Sequence, residues 1–255
     1  MKHASLFSGI GGFDLAAEWM GWENVFHCEI NRYGASILKS KWPNSIQYND
    51  ITKADFTIHR GAIDVLTGGF PCQDASNAMS TGGGQQGLDG ARTGLFFEMC
   101  RAIREIRPKF VVAENVANIL SVNGGKDFGR ILTELSSMGY NAEWRICYAS
   151  EQGAAHKRAR LYLVAYSDSI RLQKNQTFLP YVEKERTPFG WNFAGKLIQI
   201  IRAGAWNTQP PIPVLADGVP SRLVAEQIKA VGNSIVPQIA HEIFKAIEAY
   251  DKQAA

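Results

Sequence analysis

Six short apolar runs, at 4–7, 24–28, 63–67, 110–113, 142–148 and 161–165, are separated by stretches long enough to hold a helix. This alternation points residues 1–166 to an α/β architecture with a mostly parallel, covered sheet. Between the first two runs, Phe13, Ala16, Ala17 and Met20 recur at helical spacing and Gly21 supplies a stop, so one helix face is expected to be buried. Beyond Tyr166 the texture changes. Residues 167–217 mix polar, aromatic and proline residues without the earlier rhythm and read as a separate small region. Helical periodicity returns at 236–247, where Pro237 suits a first turn and the helix is expected to rejoin the first domain. The division expected is therefore 1–166, 167–229 and 230–255.

A chain of 255 residues, 45% of them apolar, can bury a full-sized core. It opens without a basic-then-apolar leader and holds no apolar run of membrane length, so a cytoplasmic protein with reduced thiols is expected. Its four cysteines, Cys28, Cys72, Cys100 and Cys147, lie far apart and form no Cys-x-x-Cys pair, which argues against a zinc site or a disulfide framework. A net charge of +3 is compatible with a polyanionic partner and does not establish one.

Two residues sit where strands should end. Phe70-Pro71-Cys72-Gln73 follows the third run, and Glu114-Asn115-Val116 follows the fourth, so a thiol and a carboxylate are expected to share one pocket at the carboxyl edge of the sheet. Phe7-Ser8-Gly9-Ile10-Gly11-Gly12 links the first run to the first helix, where glycines let a ligand approach backbone amides. Glu29 lies 20 residues after Gly9 at the end of the second run, placed to accept hydrogen bonds from ribose hydroxyls. The dinucleotide pattern Gly-x-Gly-x-x-Gly fails at Asp14, which argues against a pyrophosphate. Asp50 is placed to meet an adenine amino group, although either acid alone is as readily a helix cap. Residues 80–94, rich in glycine, are expected to form a mobile loop. Arg158 and Arg160, two apart before the last run, should point the same way on an extended backbone.

The ordered set Phe7-Ser8-Gly9-Ile10-Gly11-Gly12, Glu29, Asp50, Gly69-Phe70-Pro71-Cys72-Gln73, Glu114-Asn115-Val116, Arg158-Ala159-Arg160 and Gly232-Asn233-Ser234 resembles the DNA (cytosine-5) methyltransferases over nearly the whole chain. The compact ending is similar to small phage or prophage members. The resemblance implies a Rossmann-like S-adenosylmethionine-dependent methyltransferase fold. In it, 1–166 is the catalytic domain, 167–229 a small target-recognition domain, and 230–255 the returning segment and helix.

It also implies roles. Cys72 would be the nucleophile, with Glu114, Arg158 and Arg160 as its catalytic partners. The cofactor would meet Phe7, Ser8, Gly9, Ile10, Gly11, Gly12, Glu29, Ile30, Asp50, Ile51, Pro71, Leu95, Asn233 and Ser234. DNA would meet Gln73, Ser76, Arg92 and Asn115. Four positions depart from the family's usual pattern: Ile30 and Ala75, where relatives often carry aromatics, His156 for a frequent Gln, and Ala159 for an acid. The implied partner is double-stranded DNA, without metal or membrane. A cognate restriction endonuclease would act separately and the chain as a monomer.

The chemistry accounts for these residue types. Carbon 5 of cytosine is a poor nucleophile, and a thiolate adding to carbon 6 makes it electron-rich enough to take a methyl group; loss of the carbon-5 proton then expels the thiol. Negative charge gathered on the ring needs a carboxyl group at nitrogen 3, at least partly protonated, which is the role expected of Glu114. The target must leave the duplex, and a closing loop suits that step. Competing readings are an RNA cytosine-5 methyltransferase and a non-catalytic DNA-binding protein of the same fold. Amino-group methylation is disfavoured because the chain lacks the Asp/Asn-Pro-Pro-aromatic motif.

Overall fold

The computed structural model describes residues 1–71, 94–152, 157–167, 178–179 and 234–254. Among them, seven strands form one sheet: β1 (Lys2–Leu6), β2 (Glu23–Cys28), β3 (Ile46–Tyr48), β4 (Val65–Gly68), β5 (Phe110–Val116), β6 (Tyr140–Tyr148) and β7 (Ala159–Ser167). Their spatial order is β3-β2-β1-β4-β5-β7-β6. The four pairings among β1 to β5 are parallel, while β7 runs antiparallel to both β5 and β6. The α/β expectation holds. Each of the six apolar runs lies on a strand, but β3 was not foreseen: it has three residues at the sheet edge, and Ile46 is 45% exposed, so no apolar run marks it. The first strand also stops one residue early, because Phe7 turns to φ +52 and begins the loop.

Among the described residues five α-helices flank the sheet: α1 (Gly12–Trp19), α2 (Arg32–Lys41), α3 (Gly94–Ile106), α4 (Lys126–Ser137) and α5 (Pro237–Ala254). Phe13, Ala16 and Ala17 of α1 and Ile239, Ile243 and Phe244 of α5 pack with Val65, Phe110, Val112 and Val164 on one face. Met99 and Ile103 of α3 and Phe128 and Ile131 of α4 pack with Leu66, Val111 and Leu163 on the other. Phe244 is fully buried, with Trp22 at 4.7 Å and Phe13 at 6.3 Å between ring centroids, and burial of such a side chain contributes about 1.5–3 kcal/mol. Two residues within the expected recognition region, Phe178 and Leu179, are buried in this same cluster, and the Phe178 amide donates to Glu143.

This topology locates a crevice. β1 neighbours β2 on one side and β4 on the other, so strand order reverses there, and ligands of open α/β sheets bind outside the carboxyl ends at such a point. The antiparallel β7 then returns its first residues to the same edge, pairing Arg160 with Val116 and Tyr162 with Glu114.

Candidate active site

The glycine turn after β1 is built from left-handed backbone: Phe7, Gly9 and Gly11 have φ of +52, +58 and +85. It leads into α1 with no side chain capping the helix, and a Cβ on Gly9 would meet nothing within 4 Å, so this turn presents backbone to open space. Ser8 faces inward, its hydroxyl accepting from the Cys28 amide at 3.2 Å. Glu29 closes the turn from the side. Its carboxylate accepts from Gly9 N and from Asn31 N, each at 2.6 Å, and so joins the glycine turn to the start of α2. Burial pushes Glu29 above the usual carboxylate range, against the amides of Asn31, Gly9 and Ile30, which favour its charge. Beside it, Ile30 is 74% exposed, an apolar surface next to an acid at a strand's carboxyl end.

Two residues after β3, Asp50 accepts from the Thr52 amide at 3.0 Å and its hydroxyl at 2.8 Å, bonds that hold the carboxyl below its ordinary range. The side chain of Ile51 is buried in the core. α2 packs closely on the turn: a Cβ on Gly34 would lie 2.5 Å from the Gly9 carbonyl oxygen and 3.1 Å from Glu29 Cγ. Gly34→Ala therefore sets two effects against each other. Alanine gains about 1 kcal/mol of helix propensity, but crowding against backbone that cannot rotate away costs about 1–3 kcal/mol. The expected outcome is net destabilisation, read as a lower urea midpoint with an unchanged slope; a more stable variant would show that the turn yields.

The other half of the crevice holds Glu114. Arg160 Nε lies 3.0 Å from Glu114 Oε1, across the diagonal of the antiparallel β5–β7 pair, with side chains only 24% and 12% exposed. Burial and the two arginines compete over its proton. Burial dominates and raises Glu114 to about 7, while the positive charges of Arg160 and Arg158 pull the other way. A carboxyl at that value carries a proton part of the time near neutrality, as a donor to ring nitrogen must. Gly69 approaches closely: a Cβ there would lie 3.3 Å from Glu114 Oε2 and 3.4 Å from Ile235 Cδ1. Asn115 holds the same stretch from the opposite sheet face, its Nδ2 donating to the Phe70 carbonyl at 3.1 Å. The chain thus reaches Pro71, the residue before Cys72, anchored beside Glu114.

Arg158 departs from the expectation of an extended pair. Its φ of +35 places it outside β7, which begins at Ala159, so the two arginines do not follow one pleat. Arg158 Nη2 instead donates to the Ser234 carbonyl at 2.6 Å. That bond fixes 234–236 against the glycine turn as well, since a Cβ on Gly12 would lie 2.8 Å from both Ile235 Cβ and the Ile235 carbonyl oxygen. Leu95 packs against the core at the start of α3. Asn115 is 5% exposed and engaged within the protein.

Cys72, Gln73, Ser76, Arg92, His156 and Asn233 lie outside the described residues, as do most of 80–94 and nearly all of 167–229. The three described cysteines are poor nucleophiles. Burial pushes Cys28 and Cys100 up to about 12 and Cys147 to about 11, which leaves their thiols protonated at neutral pH. Among the described residues no cluster of His, Cys, Asp or Glu is arranged to hold a metal, and no helix is long and apolar enough to cross a membrane.

One supporting residue was not foreseen. Arg101 of α3 donates to the carbonyls of Ile51 at 2.5 Å and Ala54 at 3.1 Å, and pairs with Glu98 and Glu105 at 2.8 Å, so it pins the Asp50 loop to the helix that follows the Cys72 segment. The spacing of Glu98, Arg101 and Glu105 announces ion pairs within α3, but nothing local announces the reach to Ile51.

Comparison with known proteins adds a decisive observation: the profile of the C-5 cytosine-specific DNA methylases matches residues 1–200. The chain belongs to this family. It is 38% identical over 161 residues to the Type II methyltransferase M.PspPI of Psychrobacter sp. (strain TA137), covering 62% of this chain and 38% of that protein. It thus spans well under two thirds of that relative's length. A solved DNA modification methyltransferase encoded within a prophage of E. coli superposes with a TM-score of 0.58 at 25% identity, over 71% of this chain and 51% of that one. The Entamoeba histolytica methyltransferase EhMeth shares the fold, with a TM-score of 0.63 at 14% identity over 99% and 98% of the two chains. This member of the family therefore carries its Rossmann-like α/β sheet, with the glycine turn after β1 and Glu114 near the carboxyl end of β5.

Proposed function

We propose that this protein is a DNA (cytosine-5-)-methyltransferase that uses S-adenosylmethionine to methylate a flipped-out cytosine in a specific duplex sequence, through a covalent adduct on Cys72. The observation that carries the reading is a buried carboxyl, Glu114, at about 7, paired with Arg160 and lying against the Gly69–Pro71 stretch that leads to Cys72. A structural ion pair needs none of this convergence.

The cofactor cradle fits the proposed donor. Gly9 offers open space at the mouth of α1, Glu29 a carboxylate for a pair of ribose hydroxyls, and Ile30 an exposed apolar face for an adenine ring. When bound, S-adenosylmethionine supplies a methyl group on a positively charged sulfur. The protein's own residues do the rest. Cys72 adds as thiolate to carbon 6 of the cytosine, forming a carbon–sulfur bond and moving the ring's electrons toward carbon 5 and nitrogen 3. Glu114 donates its proton to nitrogen 3 as charge builds there, and Arg160 holds that carboxyl in place while presenting its remaining donors to the cytosine carbonyl. Arg158 ties the Ser234 segment, expected to line the donor's methionine end with Asn233, to the acid's side of the crevice. Gln73, Ser76 and Arg92 would close on the extruded base and its strand, and 167–229 would read the flanking sequence. Duplex DNA is the proposed substrate, a separately acting restriction endonuclease the proposed associate, and the monomer the working unit.

The direct test is base-resolution cytosine mapping of a methylation-free bacterial genome after expression of the protein. The expected result is 5-methylcytosine confined to one short motif. Soluble protein that binds S-adenosylmethionine yet leaves the genome unmodified would redirect the assignment to RNA or to a non-catalytic binder.

A further inference from the structure

Behind the glycine turn lies a closed circuit of buried polar side chains that the proposed chemistry does not use. Ser5, Asp14 and His27 are fully buried and Ser8 is 7% exposed. Ser5 Oγ lies 2.9 and 3.0 Å from the two Asp14 carboxylate oxygens, and 2.6 Å from Ser8 Oγ. His27 Nδ1 lies 3.1 Å from Asp14 Oδ1.

The proton count orients the bonds to the carboxylate. Asp14, as a carboxylate, only accepts, so Ser5 spends its one hydroxyl proton on Asp14. The Ser8 hydroxyl proton has three acceptors in reach, Ser5 Oγ at 2.6 Å, the Ser5 carbonyl at 3.1 Å and the Cys28 carbonyl at 3.3 Å, and Ser8 Oγ accepts from the Cys28 amide at 3.2 Å. His27 likewise donates from Nδ1, and its Nε2 has no hydrogen-bond partner among the described residues. Two arms therefore converge on one carboxylate: Cys28 N–H to Ser8 to Ser5 to Asp14, and His27 to Asp14. Because His27 and Cys28 are consecutive, the circuit closes on the end of β2, one residue before Glu29. Asn24 Nδ2, from the same strand, adds a bond to the Asp14 carbonyl at 3.0 Å.

A buried carboxylate is costly unless donors surround it, and this one stands in the first turn of α1, where the helix dipole favours it. Its position is the informative part. Asp14, on α1, is the carboxylate that meets both Ser5 of β1 and His27 of β2, close to the points from which the glycine turn and Glu29 spring. We propose that Asp14 is a positioning residue for cofactor binding, holding the Gly9 turn and Glu29 at fixed separation through Ser5, Ser8 and His27. The proposal rests on the cofactor reading above.

Asp14→Ala is the test, with Ser5→Ala as a smaller cut in the same circuit and Asp14→Asn, which keeps one acceptor oxygen, as the conservative variant. Asp14→Ala should raise the KM for S-adenosylmethionine about tenfold or more, as expected for the loss of charge-assisted hydrogen bonds, with kcat at saturating cofactor changed about twofold or less. Ser5→Ala should shift KM in the same direction, and Asp14→Asn should fall between wild type and Asp14→Ala. Calorimetry with S-adenosylhomocysteine should repeat the order without turnover, and amide exchange in the free protein should quicken at 7–12 and 28–29. If Asp14→Ala does not fold, Ser5→Ala carries the test alone. Unchanged KM and affinity with only a lower melting temperature would make the circuit purely structural and overturn the proposal. Wild-type protein that binds neither ligand would instead overturn the cofactor reading, and the proposal with it.

Discussion

Cys72→Ser should abolish methyl transfer, lowering turnover by about 10^4-fold or more, as removal of a nucleophile does in enzymes that form covalent intermediates. The hydroxyl is nearly the same size but is not ionised at neutral pH, so addition to carbon 6 loses its driving force while the shape of the site is kept. Affinity for S-adenosylmethionine should stay near the wild-type value, because the cradle at Gly9 and Glu29 follows β1 and β2 rather than β4. Two measurements check this. Methyl transfer to DNA should vanish, and so should the denaturant-resistant complex that wild type forms with DNA bearing fluorine at carbon 5 of the target, where the proton needed for release is missing. A serine variant that still methylates would move the nucleophile elsewhere, and the three described cysteines, buried and protonated, are poor replacements.

Glu114→Gln should be the second large loss, about 10^2- to 10^4-fold in turnover, since an amide cannot pass a proton to nitrogen 3. It carries a pH signature as well. Glu114 stands at about 7 in the folded protein against an ordinary 4.5, so its proton is bound more tightly when folded. Activity that needs this proton falls as pH rises through about 7. Stability has the same sign: below 4.5 both states are protonated, and between 4.5 and 7 the folded state binds the extra proton. Folding free energy is therefore lost as pH rises across that window, up to about 3 kcal/mol in all. Urea unfolding at several pH values should show that slope in wild type and a flatter one in Glu114→Gln. An identical slope in both would place the titration on another group.

Six of the described strands were legible because each contains an apolar run bounded by turn residues, and Glu114 stood out as an acid following such a run at the carboxyl edge of the sheet. β3 was not legible: a three-residue edge strand with Ile46 half exposed leaves no hydrophobic trace. The pairing of Arg158 with Arg160 misled, because alternation along a strand says nothing about the residue that precedes it, and Arg158 is left-handed. Side-chain direction at the turn was equally hidden. Ser8 turns inward and Asn115 grips the Phe70 carbonyl, and both choices depend on partners far away in sequence. Asp14 read as a broken glycine motif, whereas in space it is the acceptor on which three elements converge.

The wedge made by Ile235 has a consequence for synthesis. Its side chain lies against Gly12 and Gly69, residues that leave the ribosome long before it does. The sheet's parallel strands and both halves of the crevice are therefore made while the piece that joins them is still untranslated. An assembling chain would hold Glu114 and its glycine turn without the brace between them, and the crevice would be completed late, by the 234–236 segment that precedes α5.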